Sequence, residues 1–160
     1  LKPIRDAADY IIDTTSLSPS QLRGRIVTIF EGETTPMLIS CQSFGFRNGL
    51  PQDADLVFDV RCLPNPYYVP ELKEHDGTEG PVRDYVMNAP ESHEMLQKLE
   101  ELLAFSIPLY QREGKSQLVV AVGCTGGRHR SVAIACQLAA YLRSLGYRVE
   151  LSHRDKDNRR

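Results

Sequence analysis

Apolar residues fall along this chain in two rhythms. Short unbroken runs, Met37 to Cys41, Leu56 to Val60 and Leu118 to Val122, read as buried strands, with Ala8 to Asp13 and Arg148 to Leu151 as further short ones. Between them the spacing turns helical. Ser18 as N-cap and Pro19 at the first helical position open a helix whose Leu22, Ile26, Ile29 and Phe30 share one face. Gly77 and Gly80-Pro81 bracket a turn before a short helix, Val82 to Met87. A long amphipathic helix from Glu91 to Arg112 carries Met95, Leu99, Leu102 and Leu103, and Pro108 kinks or ends it. Ser131 to Leu145 is the last helix. Glu31 to Thr35 is a polar break, Gly45 and Gly49 imply a bent backbone, and Arg61 to Pro70 holds too many prolines for regular structure. Strands alternating with helices predict an α/β layered domain, a mostly parallel sheet flanked by helices. Ligands bind such sheets at the carboxyl ends of the strands, which puts Asp59-Arg61 and the loop after Val122 along one rim.

That loop carries the densest chemistry. The run ends at Gly123, and Cys124-Thr125-Gly126-Gly127-Arg128-His129-Arg130-Ser131 leads into the helix. A strand, a glycine loop and a helix start form an anion trap, because loop and first-turn N–H groups converge where the helix dipole is positive. Cys124 and Arg130 stand five residues apart with Ser131 following, the C-x5-R-S spacing of cysteine phosphatases. There a loop and an arginine hold phosphate while a thiolate of lowered pKa attacks it. Two readings of Cys124 therefore stand side by side, a nucleophile and a small passive liner. Asp59 and Asp76 are the candidate general acids, neither in a distinctive context. Neither G-x-x-x-x-G-K-[ST] nor G-x-G-x-x-G occurs, so no P-loop nucleotide hydrolysis is assigned to this chain.

Composition narrows the picture. Hydrophobic residues make up 41% and charged ones 25% of 160 residues, which fits one soluble domain, or one domain with an appendage from a neighbour. No apolar run is long enough to span a membrane. Opening on Leu1 rather than methionine predicts a piece of a longer protein. Cys41, Cys62, Cys124 and Cys136 form no CxxC pair, which predicts reduced thiols in a cytoplasmic protein and no zinc or other metal site. The net charge is −2, yet residues 143–160 hold six Lys/Arg against three acids. That end, with Arg154, Lys156, Arg159 and Arg160, could grip nucleic-acid phosphates; a solvated, disordered tail is the plainer alternative. Asp59 and Arg61 point the same way on a strand, either as a ligand pair or as a local charge network. Asn65, Tyr67 and Tyr68 could line a pocket or simply pack. The arginines flanking His129 are expected to lower its pKa.

With these residues in view, the chain resembles the C-terminal domain of the RapZ/YvcJ family, bacterial RNase adapter and nucleotide-binding proteins. The resemblance rests on Ser43-Phe44-Gly45-Phe46 with Gly49 and Pro51, and on Asp53-Ala54-Asp55 leading to Val57-Phe58-Asp59-Val60-Arg61. It continues through Leu63-Pro64-Asn65-Pro66 with Pro70, Gly77, Gly123 to Gly127 and His129-Arg130-Ser131-Val132. It implies residues 1–35 as the end of an N-terminal P-loop domain or connector, 36–153 as a ligand- and RNA-binding domain, and 154–160 as a basic tail. ATP or GTP belongs to that N-terminal domain, and no cofactor is expected in this segment. The resemblance further implies homo-oligomers that sense a small phosphorylated metabolite, glucosamine-6-phosphate in the enterobacterial branch, and present a small RNA to an endoribonuclease. On that reading the Cys124 loop cradles the phosphate, with Asp59, Arg61 and Asn65 around the sugar, and the tail helps to hold RNA. The chain departs from the enterobacterial pattern at Tyr67, where those members have histidine, and at Asp155 and Asp157, which interrupt the basic tail.

Overall fold

Three parallel pairings build one four-stranded sheet, seen in a computed structural model that describes residues 7–8, 10–31 and 36–158. The strands are β1 (Leu38–Gly45), β2 (Leu56–Asp59), β3 (Gln117–Cys124) and β4 (Arg148–His153), in spatial order β2-β3-β1-β4. The helices are α1 (Pro19–Glu31), α2 (Gly80–Met87), α3 (Pro90–Arg112) and α4 (Arg130–Ser144). The α/β layered expectation therefore holds, with every described pairing parallel.

Register explains the core. Leu56, Val120, Cys41 and Leu151 stand in one row across the sheet, and Phe58 and Val122 in another on the same face. That face packs against Leu99, Leu103 and Ile107 of α3 and Ile134, Leu138 and Leu142 of α4. Each such fully buried aliphatic side chain contributes about 1.5–3 kcal/mol. Because β1 and β3 lie at the centre, the loops leaving their carboxyl ends, after Gly45 and Cys124, meet side by side.

The structure corrects two expectations, the strand over residues 8–13 and an irregular stretch after β2, and sharpens two more. Residues 8 and 10–13 form no strand: no other strand pairs with them, and Tyr10 and Ile11 are exposed. The α1 start is as read, with Ser18 Oγ accepting from Gln21 N–H (3.2 Å) and Gln21 Oε1 from Ser18 N–H (2.9 Å). Its apolar face, however, joins no core: Leu22 and Ile29 are half-buried and Ile26 exposed, while the side chain of Phe30 and residues 32–35 of the polar break lie outside the described residues. Pro108 does not end α3, which runs on to Arg112, because buried Leu103 and Ile107 hold the helix to the core there. Lastly, the proline-rich stretch after β2 contains a 3₁₀ turn, Pro66–Tyr68. All four cysteines are free thiols.

Candidate anion-binding site

The loop from β3 to α4 is locked from below and open above. Gly127 takes φ +77°, and a Cβ there would stand 2.6 Å from Gly45 N. Asp155 completes the foundation: buried, it accepts Gly45 N–H at 2.7 Å and Arg154 Nη2 at 2.8 Å, while Asn158 Nδ2 donates to its other oxygen. Burial raises the Asp155 carboxyl, but bonds from Arg154, Gly45 and Asn48 outweigh it and hold the pKa below the usual value. Gly126 is the opposite case. Nothing lies within 4 Å of where its Cβ would be.

Among the described residues, the backbone N–H groups of Gly126, Gly127, Arg128 and His129 engage no acceptor. The loop feeds directly into the first turn of α4, a 15-residue helix, where further N–H groups are unpaired. Above it opens a cleft of about 460 Å³ lined by Arg47, Lys73, Arg128, His129 and Arg130 against a single acid, Glu74. Arg130 is only 5% exposed. Its Nη1 donates to the carbonyls of Arg61 (2.6 Å) and Leu63 (3.2 Å), and Nη2 to Thr125 Oγ1 (3.3 Å). Arg128 Nη2 donates to Glu74 O at 2.9 Å. The Nε–H of both arginines is buried without a partner. His129 Nε2 lies 3.2 Å from Lys73 O. Its pKa is lowered as expected, but by burial first, with Arg128 and Arg130 secondary and the carbonyls of His75 and Lys73 opposing.

Of the residues singled out from sequence, Asn65, Tyr67, Cys124, Thr125, Gly126, Arg128, His129 and Arg130 come together around this cleft, and Tyr68 joins them. Asp59, Arg61, Asp76, Gly127, Ser131, Arg154 and Lys156 do not line it. Asp59 and Arg61 close on each other (2.6–3.0 Å) with the guanidinium 4.1 Å from the Phe46 ring centroid, the local charge network of the two alternatives. The Arg61 bond is the main cause of the lowered Asp59 pKa. Gly127 faces Gly45, and Ser131 is fully buried with its Oγ 3.1 Å from Cys124 Sγ. Arg154 and Lys156 are tied into the domain: Arg154 donates to Gly49 O (2.7 Å) and Asp155, and Lys156 lies 4.0 Å from Asp76. Residues 154–158 are thus not a solvated extension, because Asp155 anchors them to the loop after β1; Arg159 and Arg160 lie outside the described residues. Arg47, Lys73, Glu74 and Asn158 escaped the sequence reading, since each sits in a connecting segment without local pattern. Among the described residues no group of three or more His, Cys, Asp or Glu could hold a metal, and no helix is long and apolar enough to cross a membrane.

Fold and site together define an α/β domain with a strand–glycine-loop–helix turn and a cation-lined cleft at the carboxyl rim of a parallel sheet. The chain belongs to the RapZ C-terminal domain family, whose pattern matches residues 37–157. It is 54% identical over 159 residues to a protein of Alkaliphilus oremlandii named "Nucleotide-binding protein", covering 98% of this chain and 55% of that one. Proteins named in the same way from Staphylococcus epidermidis (52% identical; 97% of this chain, 52% of that one) and Geobacter sulfurreducens (50%; 98% and 56%) are also similar. The chain spans about half the length of the curated relatives it matches.

Proposed function

We propose that this domain binds a small phosphorylated metabolite in the Cys124-to-Arg130 cleft, and RNA, without turning either over. The observation that carries the metabolite reading is the set of uncommitted donors: free loop N–H groups and two buried guanidinium Nε–H groups around one concave surface. Buried donors without acceptors are costly, about 1–3 kcal/mol each, and a phosphate oxygen relieves that cost. Asn65, Tyr67 and Glu74 then face the rest of the ligand. With Asp59 closed on Arg61, the Glu74 carboxylate is the group available to an amine, which suits an amino-sugar phosphate.

A second reading, a cysteine-dependent phosphatase, has one observation in its favour: the 3.1 Å approach of Ser131 Oγ to Cys124 Sγ, which puts a hydroxyl beside the sulfur. Against it, the Arg130 Nη1 is committed to backbone carbonyls rather than to a phosphoryl group, and Cys124 is 3% exposed.

Calorimetric titration with inorganic phosphate and with a hexosamine phosphate tests both readings. Binding to the wild type should fall about tenfold or more in Gly126→Ala, whose methyl group enters open space and blocks close approach without disturbing the fold. No binding by the wild type, or full binding by this variant, defeats the proposal. Steady hydrolysis of a phosphate ester that disappears in Cys124→Ser would replace it with the phosphatase.

A further inference from the structure

The cleft does not end at the Cys124 loop. A second chamber of about 240 Å³ is lined, among the described residues, by Arg47, Asn48, Gly126 and Asn158, and it shares Arg47, Gly126 and Asn158 with the first. Gly126 stands at the junction of the two, and no atom lies within 4 Å of where its Cβ would be. A phosphate held over Gly126 therefore has space on both of its sides.

The second chamber is firmly built. Arg47 N–H donates to Thr125 O at 3.2 Å, which ties the turn after β1 to the loop after β3. Buried Asp155 then fixes two amides. Asn158 Nδ2 donates to its Oδ1 at 3.2 Å, and the Asn48 side chain bonds the same carboxylate. An ionised carboxylate only accepts, so both amides turn their NH2 groups towards Asp155 and their carbonyl oxygens away from it. Asn48 and Asn158 are both exposed. Two acceptors beside an arginine suit a group that brings hydroxyl or N–H donors as well as negative charge.

A sugar monophosphate has a single organic arm. With its phosphate on the loop and its ring beside Asn65, Glu74 and Tyr68, which is 80% exposed at the rim, it does not reach the second chamber. We infer that the ligand carries organic groups on both sides of its phosphates and is a nucleoside diphosphate amino sugar. The sugar occupies the larger chamber, the diphosphate spans Gly126 and Arg47, and the hydroxyl and N–H groups of the nucleoside donate to Asn48 and Asn158. The inference rests on the metabolite reading above and narrows its ligand class.

Calorimetry on the 160-residue chain compares four ligands: glucosamine phosphate, uridine diphosphate glucosamine, inorganic phosphate and pyrophosphate. The wild type should bind the diphosphate sugar about tenfold more tightly than the monophosphate, the worth of one or two added hydrogen bonds. Asn48→Ala and Asn158→Ala should each cancel most of that gain and leave the monophosphate affinity unchanged. Equal wild-type affinity for the two sugars overturns the inference, and this comparison needs no variant to fold. So does a gain from phosphate to pyrophosphate as large as the gain between the sugars, since charge alone then explains it. A loss shared equally by both sugars in the asparagine variants also overturns it, because the amides then act only as supports for Asp155. Failure to bind any of the four ligands instead defeats the proposed function.

Discussion

Two clefts open at opposite ends of the same sheet, and their difference shows why only one of them is proposed as a site. At the carboxyl end, the 460 Å³ cleft gathers four Lys/Arg, a histidine and one acid. At the amino end, a 340 Å³ cleft gathers Arg23, Lys115, Asp53 and Asp55. Both are polar and similar in size. In the second, Lys115 and Asp55 satisfy one another: Lys115 Nζ lies 2.7 Å from Asp55 Oδ1, and Asp55 Oδ2 accepts the Val119 N–H at 2.8 Å. It also lies between the carboxyl end of α3, next to the Gly114 turn, and the first turns of α1, so the two helix dipoles oppose each other there. The first adjoins the amino end of α4, and its N–H groups face no protein acceptor. Uncommitted donors, rather than charge or cavity size, separate the two.

The strongest way to break this contrast is at its foundation. Gly127→Ala adds a methyl group against Gly45 and puts alanine at φ +77°, so it should destabilise the domain by about 2–4 kcal/mol and abolish phosphate binding. A urea midpoint close to wild type would show that the loop does not depend on this backbone.

A smaller effect follows from pH. Burial holds the pKa of His129 and of His153 below 6.5, so the unfolded chain takes up protons that the folded one refuses. Stability from these groups is complete above about pH 6.5 and declines as pH falls below it towards the folded values. Denaturation midpoints at about pH 7.5 and 5.5 should differ in that direction, and His129→Gln should reduce the difference. A midpoint that rises on acidification contradicts buried, neutral histidines.

The smallest change belongs to the amino-end cleft. Lys115→Ala removes a partly exposed ion pair and should cost less than about 1 kcal/mol, with no change in phosphate affinity. Lys73→Ala, at the other end, should weaken phosphate and flatten its salt dependence. If both lysines weaken phosphate equally, general surface charge rather than local geometry attracts the anion.

Much of the carboxyl-end cleft was legible in the chain. Leu118 to Val122 announced a strand, the glycines a loop, and Ser131 onwards a helix, because each pattern depends on neighbours a few residues apart. Asp155 was misleading. Beside Arg154 and Lys156 it looks like an interruption in a basic tail, yet in the fold it is a buried cap on Gly45, 110 residues away. Leu22, Ile26 and Ile29 of α1 marked a helix correctly, but periodicity cannot say whether a face has a partner, and this one joins no core.

By itself, then, the sequence determined the α/β alternation, the strand–glycine-loop–helix turn and most residues of the near wall of its cleft. These rest on backbone geometry and spacing within single elements. Only the tertiary structure decided that Asp59 and Arg61 neutralise each other, that Arg47, Lys73 and Glu74 complete the cleft, and that Tyr68 stands unpacked at its rim. Those outcomes depend on the strand order β2-β3-β1-β4, which brings loops from distant parts of the chain to one rim. Long-range placement of this kind leaves no periodic trace in the chain, because the residues that meet share no common element.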